Sequence, residues 1–318
     1  MKHHWADINN NLRMDAFRSE YNSIMQITLA LGGGGTRGAA HIGVLKVLER
    51  TGFEIKAIAG TSIGSLVGAF YAAGYSPDEI QVLFSKIDQS KLYGWPLSEG
   101  PGLLGVRGIY DFLYANLGEK LISELKIPYA AVAVDLNSNR EIILKQGRVI
   151  DAIMGSIAVP GLFPPRQLDE YTLIDGGTLD PVPVRAARAM APTLPVVAVS
   201  LMAPLDVPAT PIGIVSLGSS NPIASQIARM NITQAFRVFA DSVDIASRQM
   251  AELRLKLDEP DVIIRPDVNG INLLDKVDIE KVAFIGEQAA EKVLPALRKE
   301  ALFPIRLINK ARRYLRRG

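Results

Sequence analysis

From Ile24 onward the chain alternates short, densely apolar runs with longer stretches in which apolar residues recur at helical spacing. IMQITLAL (24–31) has the make-up of a buried strand, GGGGTRG (32–38) suits a loop, and AAHIGVLKVLERTG (39–52) sets Ile42, Leu45 and Leu48 near every third position, as one face of a helix requires. A second unit of this kind follows: Ile55 to Ala59 predicts a strand and, after the turn GTSIG, Ser65 to Ala73 predicts a helix. Ser76, Pro77 and Glu79 form a capping-box start for a further helix through Ile87. Tyr129 to Val134 and Glu141 to Lys145 flank Asn137-Ser138-Asn139 and predict a hairpin.

Beyond the hairpin the pattern predicts a helix from about Val149 to Ala158, an apolar strand end at Leu173-Ile174, and a short buried strand from Pro195 to Leu201. A long helical pattern ends near Leu257, a strand covers Val262 to Arg265, and a final helical region begins at Asp278. Three stretches lack a period. Residues 1–23 read as a leader, with a helix around Met14 to Tyr21; Ser90 to Gly108, with Pro96, Pro101 and Trp95, reads as a loop or lid; Val207 to Pro222 reads as a polar connector. Strands alternating with helices predict a three-layer α/β/α fold with a mostly parallel central sheet, in one domain over residues 24–302, followed by a separate segment at 303–318.

Composition narrows the chemistry. An apolar share of 48% and a charged share of 21% over 318 residues suit a folded globular chain, and a net charge of +2 gives no reason to expect a nucleic-acid partner. The absence of cysteine removes disulfides, thiol nucleophiles and cysteine-held zinc. No clustered histidine set offers another metal site, so neither metal nor cofactor is expected. The N-terminus carries charges throughout and lacks a signal-type apolar segment, so the cytoplasm is the expected location. Ala57 to Pro77 is uncharged and long enough to raise the question of a membrane span, but its Gly60, Thr61, Ser62, Gly64, Ser65 and Gly68 favour a strand, a tight turn and a buried helix.

Gly60-Thr61-Ser62-Ile63-Gly64 is a G-x-S-x-G sequence placed where a strand hands over to a helix. A serine on so sharp a turn is lifted clear of the sheet, with the flanking glycines leaving room for the crossing elements; a small-residue packing turn is the plainer alternative. The only histidines are His3, His4 and His41, and none follows Ser62, which excludes the serine–acid–histidine order of an α/β-hydrolase triad. His41, in the first turns of a helix, reads as a packing residue. The base is then a carboxylate or a lysine. Asp175 is the best candidate, because it ends an apolar strand and Gly176-Gly177 let the chain turn sharply away, although Asp-Gly is also an ordinary turn.

The loop Gly32 to Gly38 lets backbone N–H groups converge at the positive end of a helix dipole, with Arg37 adding charge, a suitable seat for an oxyanion or for a phosphate. Gly33, Gly35 and Gly38 satisfy G-x-G-x-x-G, but the second strand ends in GTSIG where a dinucleotide site needs an acidic residue. No lysine followed by Ser or Thr closes the loop, which excludes a Walker motif.

These motifs, ALGGGGTRGAAHIGVLKVLERTG, IAGTSIGSLVGAFYAAG, SIAVPGLFPP and LIDGGTLDPVPVRAARAM, resemble in order and spacing those of the patatin-like phospholipases, particularly bacterial members and the catalytic domain of neuropathy target esterase. The resemblance is dense from about Ile24 to Leu201. It implies a Ser–Asp dyad of Ser62 and Asp175, an oxyanion loop of Gly33, Gly34, Gly35, Arg37 and Gly38, and metal-free cleavage of acyl esters in phospholipids, lysophospholipids or neutral glycerides. Many family members have Asp-Gly-Ala where Asp175-Gly176-Gly177 stands here.

Three other readings remain beside a hydrolase: acyl transfer or thioester cleavage through the same acyl-enzyme, a nucleotide- or phosphate-binding regulatory module built on the glycine loop, and an inactive membrane-surface adaptor. The last draws on the tail. At about 100° per residue, Ile305 to Arg317 puts Leu307, Ile308, Ala311, Tyr314 and Leu315 on one arc opposite Arg306, Lys310, Arg313 and Arg317. Such a basic amphipathic helix either meets an anionic membrane surface or docks on its own domain.

Overall fold

The computed structural model describes residues 25–92, 100–207 and 242–301. The leader, including the expected helix around Met14 to Tyr21, the centre of the Ser90 to Gly108 loop, all but the first residue of the Val207 to Pro222 connector, and the basic tail lie outside the described residues.

The strands are β1 (Met25–Leu31), β2 (Phe53–Thr61), β3 (Tyr129–Asp135), β4 (Arg140–Leu144), β5 (Arg166–Leu168), β6 (Tyr171–Asp175), β7 (Val196–Val199) and β8 (Val262–Ile264). The helices are α1 (Ala39–Arg50), α2 (Ile63–Ala73), α3 (Pro77–Ser85), α4 (Arg107–Leu117), α5 (Val149–Ser156), α6 (Val184–Met190), α7 over 242–258, and α8 (Ile279–Ala301). One sheet holds the strands in the order β5-β6-β3-β2-β1-β7-β8, with β4 also paired to β3. Pairing is parallel from β3 through β2, β1 and β7 to β8, and antiparallel where β4 and β6 meet β3 and where β5 meets β6. This is the expected mostly parallel sheet between helical layers.

Alternation along the strands divides the core in two. Ile27, Leu29, Leu31, Ile58, Val197 and Val199 face the layer that holds α1 to α5 and α8. Ala30, Ala59, Val132, Val196 and Ala198 face α6 and Leu255 of α7. The central strands are buried on both faces and so read as continuous apolar runs. Helices α1 and α8 cross so closely that a methyl group at Gly43 or Gly286 would overlap the opposing backbone at Ala283 or Ala40.

Several boundaries differ from the sequence reading. Strand β2 continues through Gly60 and Thr61, because both still pair with Ala131 and Val132 of β3. Helix α2 then starts at Ile63, leaving a single residue, Ser62, between the two elements. The hairpin β5–β6 and helix α4 were not expected. In α4, Ile109, Leu113 and Leu117 point into the core at four-residue spacing. Among the described residues no helix is long and apolar enough to cross a membrane, and the Ala57 to Pro77 stretch divides into β2, Ser62 and α2.

Candidate active site

Strand β3 brings the two motif ends together. Its residues 131–135 pair with β4, so one of its edges is filled along that length. The other edge is shared end to end: Thr61 of β2 lies opposite Val132, and Asp175 of β6 lies opposite the next residue, Ala133. Because β2 is parallel and β6 antiparallel to β3, the two strands run toward each other and stop at adjacent positions. The residue after Thr61 is Ser62, and the last residue of β6 is Asp175.

Ser62 has φ 54° and ψ −126°, a backbone conformation unfavourable for a residue with a side chain. The glycines around it are packed against backbone. A Cβ on Gly60 would lie 2.5 Å from the Gly64 carbonyl group, and one on Gly64 would overlap the backbone of Leu31. The helix can therefore start against the sheet only with glycine on both sides of the serine. The Ser62 N–H donates to Ser156 Oγ (2.9 Å), and the Ser156 hydroxyl donates to Val132 O (2.6 Å). The Ser62 carbonyl accepts from Ser65 Oγ (2.6 Å) and Ser65 N (2.9 Å). Thr61 Oγ1 donates to Asp180 O (2.9 Å).

Asp175 is almost wholly buried. Burial pushes its carboxyl up to about 6, while the Ser62 side chain and the Gly177 N–H pull it part of the way back. That N–H donates to Asp175 Oδ1 at 2.7 Å. A side chain at Gly176 would overlap the Val132 carbonyl, so the turn after the acid also requires glycine. A carboxylate with this affinity for protons is far better matched to deprotonating a hydroxyl than an ordinary aspartate.

The glycine loop lies against Ser62: a Cβ on Gly33 would stand 3.2 Å from Ser62 Cβ. The Gly33 N–H, expected as an oxyanion donor, is already engaged with Pro181 O (3.0 Å). Gly34 and Gly35 follow at the start of the 3-10 turn Gly35–Gly38, where N–H groups have no preceding turn to bond, and neither donates to backbone among the described residues. Gly35 has φ +57° and lies against the Leu273 carbonyl. Gly38 has no room for a side chain beside Ile63.

Arg37, also expected to stabilise the anion, does not line the cavity that contains Ser62. Its Nε donates to Ile271 O (2.6 Å) and its Nη1 lies 3.8 Å from Asp244. Thr36 bonds the same segment, through Oγ1 to Asn272 O (2.9 Å) and through its N–H to Leu273 O (3.0 Å). Arg37 thus ties the loop to residues 271–273 and positions it. His41 is fully buried, with Nε2 at 2.8 Å from Gly32 O, and burial lowers its pKa to about 4, so it is a neutral packing residue that anchors the loop. Ser156 and Asp180-Pro181 lie within the motif runs SIAVPGLFPP and LIDGGTLDPVPVRAARAM but have no role assigned from sequence, and the 271–273 segment lies outside every motif.

Ser62, Gly35, Thr36 and Ala39 open into a cavity of about 520 Å³ whose other walls are mainly Leu, Ile, Val and Phe from α2 to α4, residues 157–163 and residues 273–279. Gln89 closes part of its wall by donating from Nε2 to Val277 O (2.9 Å) and accepting from Val277 N (3.1 Å). No group of three or more metal-ligating side chains occurs among the described residues.

The family model described as patatin-like phospholipase matches residues 29–188, which include the glycine loop, Ser62 and Asp175. An uncharacterized NTE family protein of Mycobacterium tuberculosis is 39% identical over 171 residues, covering 53% of this chain and 47% of that protein. Human patatin-like phospholipase domain-containing protein 6 is 33% identical over 174 residues, covering 52% of this chain and 12% of that protein. Lysophospholipase NTE1 of Candida albicans is 32% identical over 168 residues, covering 51% and 12%. The match therefore takes in about half of the mycobacterial relative and a small part of the other two.

Proposed function

The chain belongs to the patatin-like phospholipase family, and from that premise we propose that it is a serine lipid-acyl hydrolase acting on phospholipid or lysophospholipid. The observation that carries this reading is that β2 and β6 end at adjacent positions of one β3 edge, so that Ser62 follows the end of one strand and Asp175 is the end of the other, with Ser62 lining an apolar cavity. The lysophospholipase among its relatives supports the substrate class.

In the proposed mechanism Asp175 takes the proton of Ser62 Oγ as that oxygen attacks the ester carbonyl. The developing oxyanion sits toward the N–H groups of Gly34 and Gly35, at the positive end of α1. Collapse breaks the ester bond, and the proton held by Asp175 passes to the departing alcohol. Water then attacks the acyl-Ser62 ester with Asp175 again as base, releasing the fatty acid and restoring the hydroxyl. The apolar cavity favours an acyl chain over a nucleotide, which needs polar partners for its base and ribose. We further propose that the tail at 305–317 gives peripheral contact with anionic membrane.

The test is a panel of defined phospholipids, lysophospholipids and short p-nitrophenyl esters, run with the native protein, Ser62→Ala and Asp175→Asn. Each variant is expected to lose at least ~10³ in turnover, since either member of a cooperating pair disables both. Hydrolysis that persists in a folded Ser62→Ala protein would refute the assignment. Transfer of the acyl group to an added alcohol in preference to water would make the chain an acyltransferase.

A further inference from the structure

The cavity lined by Ser62 is also lined by Ile63 and Leu66 of α2, by Phe84 at the end of α3 and by Phe112 in α4. These two rings are not loose wall residues. Each packs on Phe70 with centroids 5.7 Å apart, and they meet one another at 6.0 Å, so the three rings close on themselves. Phe70 is fully buried and is braced from another side by Tyr75 at 5.2 Å. A core of rings in mutual contact has no spare volume to yield to a ligand.

The position of Phe70 gives the distance. It follows Ser62 by eight residues along α2, or about 12 Å of helix axis, and helical side chains lean back toward the N-terminus. The aromatic wall therefore stands on the order of 10 Å from the nucleophile. An extended single-bonded chain advances ~1.2 Å per bond, so eight to ten carbons fill that length.

We infer that Phe84 and Phe112 form the floor of the acyl-chain site and set the chain length cleaved most efficiently, near eight to ten carbons. This rests on the hydrolase reading of Ser62 and adds a substrate preference to it. Each methylene that enters the apolar cavity leaves water and raises kcat/KM by up to roughly fourfold. At the floor a further methylene meets the packed Phe70, Phe84 and Phe112 rings instead of open cavity, so the gain per carbon falls there.

The experiment measures kcat/KM for soluble p-nitrophenyl esters of four to sixteen carbons, below their micelle concentrations, with the full chain. In the native protein kcat/KM should climb to about ten carbons and then level or fall. Phe84→Ala and Phe112→Ala lower the floor, and each should raise the ratio of fourteen-carbon to eight-carbon kcat/KM at least about fivefold. Leu66→Phe fills the cavity midway and should lower the ratio of ten-carbon to four-carbon kcat/KM at least about tenfold. Should an alanine variant fail to fold, Phe112→Leu, which keeps most of the volume and removes the ring, should still raise the longer-chain ratio about twofold or more. Ratios unchanged in the folded variants, or a native optimum at sixteen carbons, would overturn the floor. Ser62→Ala separates the two ideas. If it abolishes hydrolysis at every length while the Phe84 and Phe112 variants leave the ratios unchanged, only the floor is wrong; if hydrolysis persists in it, the hydrolase reading itself is wrong.

Discussion

The amide of Ser62 donates to the hydroxyl of Ser156, 94 positions later in the chain, and that hydroxyl donates in turn to Val132 O. The turn at Ser62 takes its N–H out of the ladder between β2 and β3 before the hydrogen bonds of α2 can claim it. A buried N–H left without an acceptor costs about 1–3 kcal/mol, so the last turn of α5 supplies one. The same hydroxyl reaches the β3 carbonyl between the two strand ends, fixing Ser62 beside the edge on which Asp175 lies.

Ser156→Ala should therefore lower kcat on a soluble ester by roughly ten- to a hundredfold and reduce Tm by a few degrees, with cooperative unfolding retained. Steady-state kinetics beside a thermal melt measure both. A kcat within twofold of the native value would mean that the turn holds its shape without this bond.

The raised proton affinity of Asp175 fixes the acid limb of the pH profile. In the proposed mechanism Asp175 acts as base only when ionised, so kcat/KM for a soluble ester should rise with pH through about 6 and level off above it. His41, held neutral with a pKa of about 4, should not define that limb. A folded His41→Gln protein should keep the midpoint even if the loss of its bond to Gly32 lowers the plateau. A midpoint that moves by a full unit in that variant would assign the limb to the histidine.

Much of this site is legible in the sequence because its geometry demands glycine. Gly60, Gly64 and Gly176 stand where any side chain would collide with backbone, so GTSIG and Asp175-Gly176-Gly177 are visible as motifs. The parts that act across long separations are not. Nothing around Ser156 marks it as the partner of Ser62, and nothing around Arg37 points to Ile271, 234 positions away. Helix α4 did leave a signal in Ile109, Leu113 and Leu117, but it directly follows a proline- and glycine-rich stretch whose lack of period hid its start.

Asp180 offers a test of stability apart from catalysis. Its side chain is fully buried, and among the described residues neither carboxyl oxygen has a hydrogen-bond partner. Burial, with Glu141 and Asp258 nearby, pushes its pKa up to about 8 against the partial opposition of Arg254 and Arg185. A folded-state pKa above the unfolded one contributes stability that is complete below the ordinary 3.8 and is lost as pH rises through about 8. Asp180→Asn removes that dependence. Its Tm advantage over the native protein should be larger at pH 8.5 than at pH 4, by several degrees. An advantage independent of pH, or a deficit that grows toward pH 8.5, would contradict a buried carboxyl that retains its proton.

The tail at 306–318 lies outside the described residues. Its apolar arc is narrow and its basic residues stand opposite, so membrane contact would combine modest burial with about 1 kcal/mol for each basic residue near anionic lipid. Deleting Arg306 to Gly318 should weaken binding to anionic vesicles and slow hydrolysis of vesicular substrate, while a soluble ester is cleaved at close to the native rate. Salt should act like the deletion: at ~0.5 M the screening length falls to a few ångströms, and the intact and truncated proteins should converge on vesicles. A helix docked on its own domain predicts a different pattern, in which truncation lowers Tm and soluble-ester turnover together and salt leaves the difference in place. The comparison of vesicle and soluble substrates at two salt concentrations therefore decides between a surface anchor and a structural element.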